Sequence, residues 1–186
     1  MSGAEAARYA LELMDKVNYL GATRAVVHPP VDVPEAPARL EAFVAAWRHA
    51  GRDPVDLLFE NIHGEDLVAL APVLVALGCN VCLDLGHLLA YGQHGMLCVP
   101  SLMERVAMLH ANAPGPGGRH LPLTALDAEG RQVARAVCAR LSPAATIMVE
   151  VFQWQGVLDS LPLLDLWLGE ASAADHSHAH ACNGRM

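Results

Sequence analysis

No apolar run in this chain of 186 residues reaches the ~18 residues of a membrane-spanning helix. The opening Met-Ser-Gly-Ala-Glu lacks the basic and apolar regions of a signal peptide, so a cytoplasmic protein off the membrane is expected. Positive charge is also scarce. Twelve Lys and Arg against 20 Asp and Glu leave a net charge of −8, which argues against a broad basic face and disfavours nucleic acid as a partner. Charged residues make up 17% beside 53% hydrophobic ones, a balance that excludes a disordered chain and supports one domain with a sizeable core. The five cysteines (79, 82, 98, 138 and 182) are odd in number and lie mostly in apolar patterns. Buried, reduced thiols are therefore expected. Cys79 and Cys82 form the one CxxC, and the second falls inside a strand pattern, which disfavours a zinc ribbon or redox pair.

What the chain does have is one repeated piece of grammar. Short apolar runs end in a residue able to bind a metal or move a proton: Val26-Val27-His28, Leu57-Leu58-Phe59-Glu60, Val81-Cys82-Leu83-Asp84, Met108-Leu109-His110 and Met148-Val149-Glu150. Such runs read as strands buried on both faces. A carboxylate at the end of one belongs in a cavity, because an unpaired buried charge is costly. Helical spacing fills the intervals at 3–20, 37–50, 66–77, 100–105, 128–141 and 157–168, with Gly21, Gly51 and Gly78 as stops. Residues 87–95 and 114–118 read as loops, and an Ala-, Ser- and His-rich tail from Gly169 as disordered. Alternating strand and helix implies an α/β fold with parallel strands and ligands at their carboxyl ends. A closed (β/α)₈ barrel takes ~250 residues, and five strands are legible, so either the sheet is open or about three N-terminal βα units are missing.

His28, Glu60, Asp84, His87, His110, His120 and Glu150 form one candidate set. Imidazole and carboxylate are what Zn²⁺, Mn²⁺ or Fe²⁺ accept, and a carboxylate bridges two ions. Such a pair activates water and stabilises a leaving oxygen. His63 and His94 lie in adjoining loops facing either substrate or solvent. His49 sits late in a helix, where the dipole accounts for it. His176, His178 and His180 form an isolated tract. Asn61 and Asn112 follow strand ends, suited to orienting ligands or substrate, and Arg119 is the best phosphate contact. Trp154 either walls the cavity or packs.

His28-Pro29, Glu60-Asn61, Asp84-x-x-His87, His110, His120 and Glu150 resemble the xylose-isomerase-like (β/α)₈ superfamily, which includes endonuclease IV and sugar-phosphate isomerases and epimerases. The resemblance spans residues ~20–168 and implies a partial TIM-barrel domain over 1–168, with the tail at 169–186. It implies that His28 and His110 bind a divalent metal, that Glu60 bridges two ions, and that Asp84, His87, His120 and Glu150 are ligands or acid-base residues. The catalytic groups would be Glu60, Asp84 and Glu150, and the substrate contacts Arg119, Asn61, Asn112 and His63. More narrowly, Phe59-Glu60-Asn61-Ile62, Cys82-Leu83-Asp84-Leu85-Gly86-His87-Leu88, His120-Leu121-Pro122-Leu123 and Val149-Glu150-Val151-Phe152 are similar to cobamide-remodelling phosphodiesterases, which cleave the nucleotide loop of cobalamin relatives. The chain departs from endonuclease IV in having Gly118-Arg119-His120 in place of Asp-x-His. The expected function is a metal-dependent phosphoester hydrolase with a small, corrinoid substrate. The alternatives are a sugar-phosphate isomerase or epimerase, and an inactive fragment or binding module.

Overall fold

The computed structural model describes residues 1–31 and 34–182, with side chains as far as residue 171. Helix α1 (Gly3–Val17) begins at Ser2, whose side chain and backbone exchange hydrogen bonds with Glu5 in a capping box. Strand β1 (Ala25–Val27) and helix α2 (Ala36–His49) follow. Next come β2 (Leu57–Glu60), α3 (Ala71–Leu77) and β3 (Asn80–Asp84). Helix α4 (Leu85–Ala90) starts at once, where residues 87–95 read as loop, because the Asp84 side chain caps it by accepting from the His87 N–H. Helix α3 starts at Ala71, not at 66, because residues 62–70 are taken up by turns closed by Ile62–Glu65 and Leu67–Leu70 hydrogen bonds. After α5 (Pro100–Met103) and β4 (Val106–Ala111), a small antiparallel pair, β5 (Ala113–Pro114) with β6 (His120–Leu121), folds the glycine loop back over the sheet end. Helix α6 (Ala128–Cys138), β7 (Thr146–Val149) and α7 (Trp154–Cys182) complete the chain. Helix α7 runs past Gly169, where the sequence reading starts a disordered tail. The side chains of His176, His178, His180 and Cys182 lie outside the described residues.

The five long strands form one parallel sheet in the order β1-β2-β3-β4-β7, curled into a half-barrel. A single contact shows the curl. Arg24, before β1, donates to the Thr146 hydroxyl on β7 at 3.4 Å, although four strand spacings of about 4.8 Å would part the edges of a flat sheet by about 19 Å. Alternation divides each strand between two layers. Leu57, Phe59, Val81, Leu83, Leu109 and Ala111 point outward into the main core beneath the helices, with Leu40, Phe43, Val44 and Trp47 of α2 among their partners. Leu58, Cys82 and Met108 point inward as a separate apolar layer. The next inward positions along the same strands are Glu60, Asp84 and His110. Three cysteines, Cys79, Cys82 and Cys138, are buried free thiols as expected, whereas Cys98 is exposed.

Candidate metal centre

The register that alternates the layers also gathers the polar residues. Glu60 ends β2, Asp84 ends β3 opposite His110 on β4, and Glu150 follows β7 with its N–H still donating to the Ala111 carbonyl. Their side chains meet around one imidazole. His110 Nδ1 lies 2.8 Å from Glu60 Oε1, 3.0 Å from Glu150 Oε2 and 3.8 Å from Asp84 Oδ2. His28 Nε2, at the rim, is 3.0 Å from Glu60 Oε2. Donor atoms of Glu60, Asp84, His110 and Glu150 all lie within 4.8 Å of one another, and so do those of Asp84, His87 and His120. The structure thus brings all seven expected residues to one end of the sheet. These buried Glu, Asp and His groups could hold a metal ion. Cys82, beneath Glu60 and His110, is also within that distance of both. Burial first, then the charges of Glu60, Asp84 and Glu150, push its thiol far up, so it rests as a neutral apolar group.

The electrostatics turn on who supplies a proton to whom. Burial works to raise the pKa of Glu60, but the His110 hydrogen bond and the His110, His28 and His87 charges outweigh it and hold Glu60 below the usual range. Burial lowers His110, yet its hydrogen bond to Glu60 and the charges of Glu150, Glu60 and Asp84 leave it above normal. Glu150 is raised, by burial and by Asp84 and Glu60 against the opposing pull of His110 and His120. Nδ1 carries one proton, which the Glu60 hydrogen bond uses. That leaves Glu150 Oε2 buried without a hydrogen-bond partner, and His110 Nε2, on the far side of the ring, is buried without one as well. Three carboxylates around one imidazole, with an orphaned oxygen and an orphaned nitrogen, fit a divalent cation.

A shell of polar side chains sets these groups in place. The Asn61 amide accepts the Asp84 N–H at 2.7 Å and donates to the Asp84 carbonyl at 3.0 Å, standing in for a neighbouring strand. It also donates to Gln93 Oε1 at 2.9 Å, while Gln93 Nε2 donates to the Ile62 carbonyl at 2.7 Å. Asn112 donates to Asp84 Oδ2 at 3.0 Å. Asn61 and Asn112 are fully buried, so of the two roles left open for them their position suits orienting ligands. Gly86 leaves the space for this arrangement, since a Cβ there would overlap Asn112 Oδ1. His87 Nδ1 and His120 Nδ1 donate to the carbonyls of Asn61 (2.9 Å) and Glu150 (3.1 Å). A proton on Nδ1 leaves Nε2 with its lone pair, the second-shell pattern of metal-binding histidines.

Arg119, His87, Asn112 and His120 line a cleft of about 230 Å³ with Gly117 and Gly118, both at positive φ in the turn that returns the chain to His120. His63 lies against Tyr91 in an adjoining open cavity, and His94 borders a separate one beside Asp127 and Glu129. Sequence reasoning overlooked Gln93 and Tyr91, and it quoted Gly86 and Phe152 only within motifs, without a role of their own. The signal for Gln93 was a polar residue directly after a glycine turn, Gly92 at φ 64°. Among the described residues no helix is long and apolar enough to cross a membrane. No protein-family model matches the chain, and no curated protein does. The superfamily resemblance therefore rests on the motifs.

Proposed function

We propose that the chain is a metal-dependent hydrolase of phosphoesters, built on part of a xylose-isomerase-like (β/α)₈ barrel, with the nucleotide loop of a cobamide as the substrate the motifs imply. The observation that carries the reading is the orphaned Glu150 Oε2 beside Glu60, Asp84 and His110. Glu60, Asp84, His110 and Glu150 would hold a divalent ion, which would supply an activated water and positive charge for phosphoryl oxygens. Glu60 and Asp84 are held by hydrogen bonds from His110, Asn61 and Asn112, so they would keep their positions whether or not an ion is bound. Arg119, whose Nε is tied to the Pro116 carbonyl at 3.3 Å, presents its guanidinium beside the cleft, suited to a phosphoryl group. An isomerase needs carboxylates on opposite sides of a substrate carbon. Here Glu60 and Glu150 approach the same nitrogen of His110, which favours hydrolysis.

The test begins with the metal. With His176, His178 and His180 changed to Gln, the protein should still bind a divalent ion stoichiometrically, and Glu60→Gln should cut its affinity at least tenfold. Joined to three N-terminal βα units of such a barrel, it should cleave a cobamide phosphodiester, and Arg119→Ala should slow that cleavage by about tenfold or more. Turnover of a ketose with the cobamide untouched would establish the isomerase. Metal binding with neither activity would establish the binding module.

A further inference from the structure

A line of rings runs along the carboxyl rim of the sheet. His63 meets Tyr91 edge-on at 4.7 Å between centroids, and Tyr91 meets His87 at 5.6 Å. His87 meets His120 edge-on at 6.0 Å, and Phe152 stacks on His120 at 5.3 Å with the planes 30° apart. The far end of this line lies open. Phe152 is 80% exposed and Trp154 75%, while Trp47 and Trp167 are buried. Two large aromatic faces left in water beside a polar centre forgo burial that would favour folding.

The ring beneath Phe152 is fixed. His120 is held through Nδ1 on the Glu150 carbonyl, so Phe152 rests one face on a rigid imidazole and turns the other outward. His120 also borders the cleft with His87, Gly117, Gly118 and Arg119. Arg119 is exposed, and its terminal nitrogens have no hydrogen-bond partner among the described residues beyond the Nε contact to Pro116. A flat hydrophobic face and a free guanidinium therefore flank one histidine.

We propose that Phe152, backed by His120, is a stacking platform for a planar heteroaromatic ring borne on an organophosphate whose phosphate reaches Arg119. The phosphate half rests on the hydrolase reading; the ring half rests on the exposed stack alone. The fitting ligand is of mononucleotide size. A polynucleotide is disfavoured by the net charge of −8, and a planar ring suits a π-face of any sequence or substituent.

The probes are adenosine 5′-monophosphate, ribose 5-phosphate and adenosine, titrated calorimetrically into the full chain with a chelator present so that no turnover intervenes. Adenosine 5′-monophosphate should bind about tenfold more tightly than ribose 5-phosphate, the margin expected of one base–aromatic stack. It should also quench the solvent-exposed tryptophan emission, which belongs to Trp154. Phe152→Ala should erase the margin and Phe152→Trp restore it, while Arg119→Ala weakens both phosphates and spares adenosine. Equal affinities in the parent protein, no binding of either phosphate, or an unchanged margin in Phe152→Ala overturns the platform. A Phe152→Ala chain that changes oligomeric state instead assigns the face to a second copy. Because the ion is chelated, a failed hydrolase reading leaves the stacking margin and its loss in Phe152→Ala untouched, and a failed platform leaves the metal tests standing.

Discussion

Glu60, on a central strand, and Glu150, beyond an edge strand, are the same residue type at the same end of one sheet, and they are shifted in opposite directions. Burial raises both. Glu60 takes the His110 hydrogen bond on one oxygen and has the His28 imidazole 3.0 Å from the other, and falls below normal. Glu150 must share an imidazole whose only Nδ1 proton is already given away, and it rises. The hydrogen bond and the facing imidazoles, not depth, decide the sign. The centre of the sheet thus satisfies both its carboxylates from within, while the edge leaves the Glu150 oxygen for an ion. The apolar layer below repeats the division. Leu58, Cys82 and Met108 on the central strands are buried, whereas Val26 on β1 is 37% exposed and Met148 on β7 44%.

The strongest way to break this comparison is to cut the internal satisfaction at the centre. Asn61→Ala would strand the Asp84 N–H, the Asp84 carbonyl and Gln93 Oε1 in a buried site. Each unmet group costs about 1–3 kcal/mol, so the loss should be about 3 kcal/mol or more in urea unfolding. Gly86→Ala should act through the same residue set, because its methyl would displace Asn112 from Asp84. In either variant ion affinity should fall as well. By contrast His28→Ala, at a side chain 67% exposed, should change unfolding by less than about 1 kcal/mol. Equal losses at Asn61 and His28 would erase the distinction between centre and edge.

Much of this centre was legible because strand periodicity is simple. An apolar run of three ending in His, Glu or Asp fixes both the strand and the direction of its last side chain, and so residues far apart in sequence could be assigned to one place. The supporting shell was not legible. Gln93 follows a glycine turn 32 positions after Asn61, and no local pattern links two amides across such a gap. Asn61 itself was visible, but its role depends on a side chain replacing a ladder hydrogen bond, which a sequence does not display. The early start of α4 was missed for a related reason. Asp84 serves as both strand end and helix cap, and a reading that gives each residue one task leaves the second out.

A middle-sized effect should come from pH. His110 is raised, so its contribution to stability is complete below its ordinary value near 6.5 and is lost as pH rises through its higher folded value. Losing that proton leaves Glu60, Asp84 and Glu150 around a neutral ring. With a chelator present, the midpoint of thermal unfolding should therefore decline on the alkaline side. Glu60 has the opposite sense. Its lowered pKa gives stability above 4.5 that disappears as pH falls through the folded value. A saturating divalent ion should flatten the alkaline decline, since it neutralises the carboxylates in place of the imidazolium. An alkaline decline that persists unchanged with the ion bound would show that His110 does not compensate this cluster.

The smallest expected effects lie at the edges of the inner apolar layer. Val26→Ala and Met148→Ala remove side chains already well exposed, so each should cost under about 1 kcal/mol, whereas Leu58→Ala, at a fully buried position, should cost about 2–5 kcal/mol. The useful variable here is protein concentration. A concave face bathed in water gives edge variants whose small cost is the same at every concentration, because unfolding then involves one chain. If a second copy covers Val26 and Met148, the parent protein melts higher as concentration rises, by mass action, and the two alanine variants lose that dependence. Melting curves over a hundredfold concentration range, for the parent, Val26→Ala and Leu58→Ala, separate the cases. The contrast between Leu58 and Val26 should hold throughout if the curled sheet is satisfied at its centre by its own chain alone.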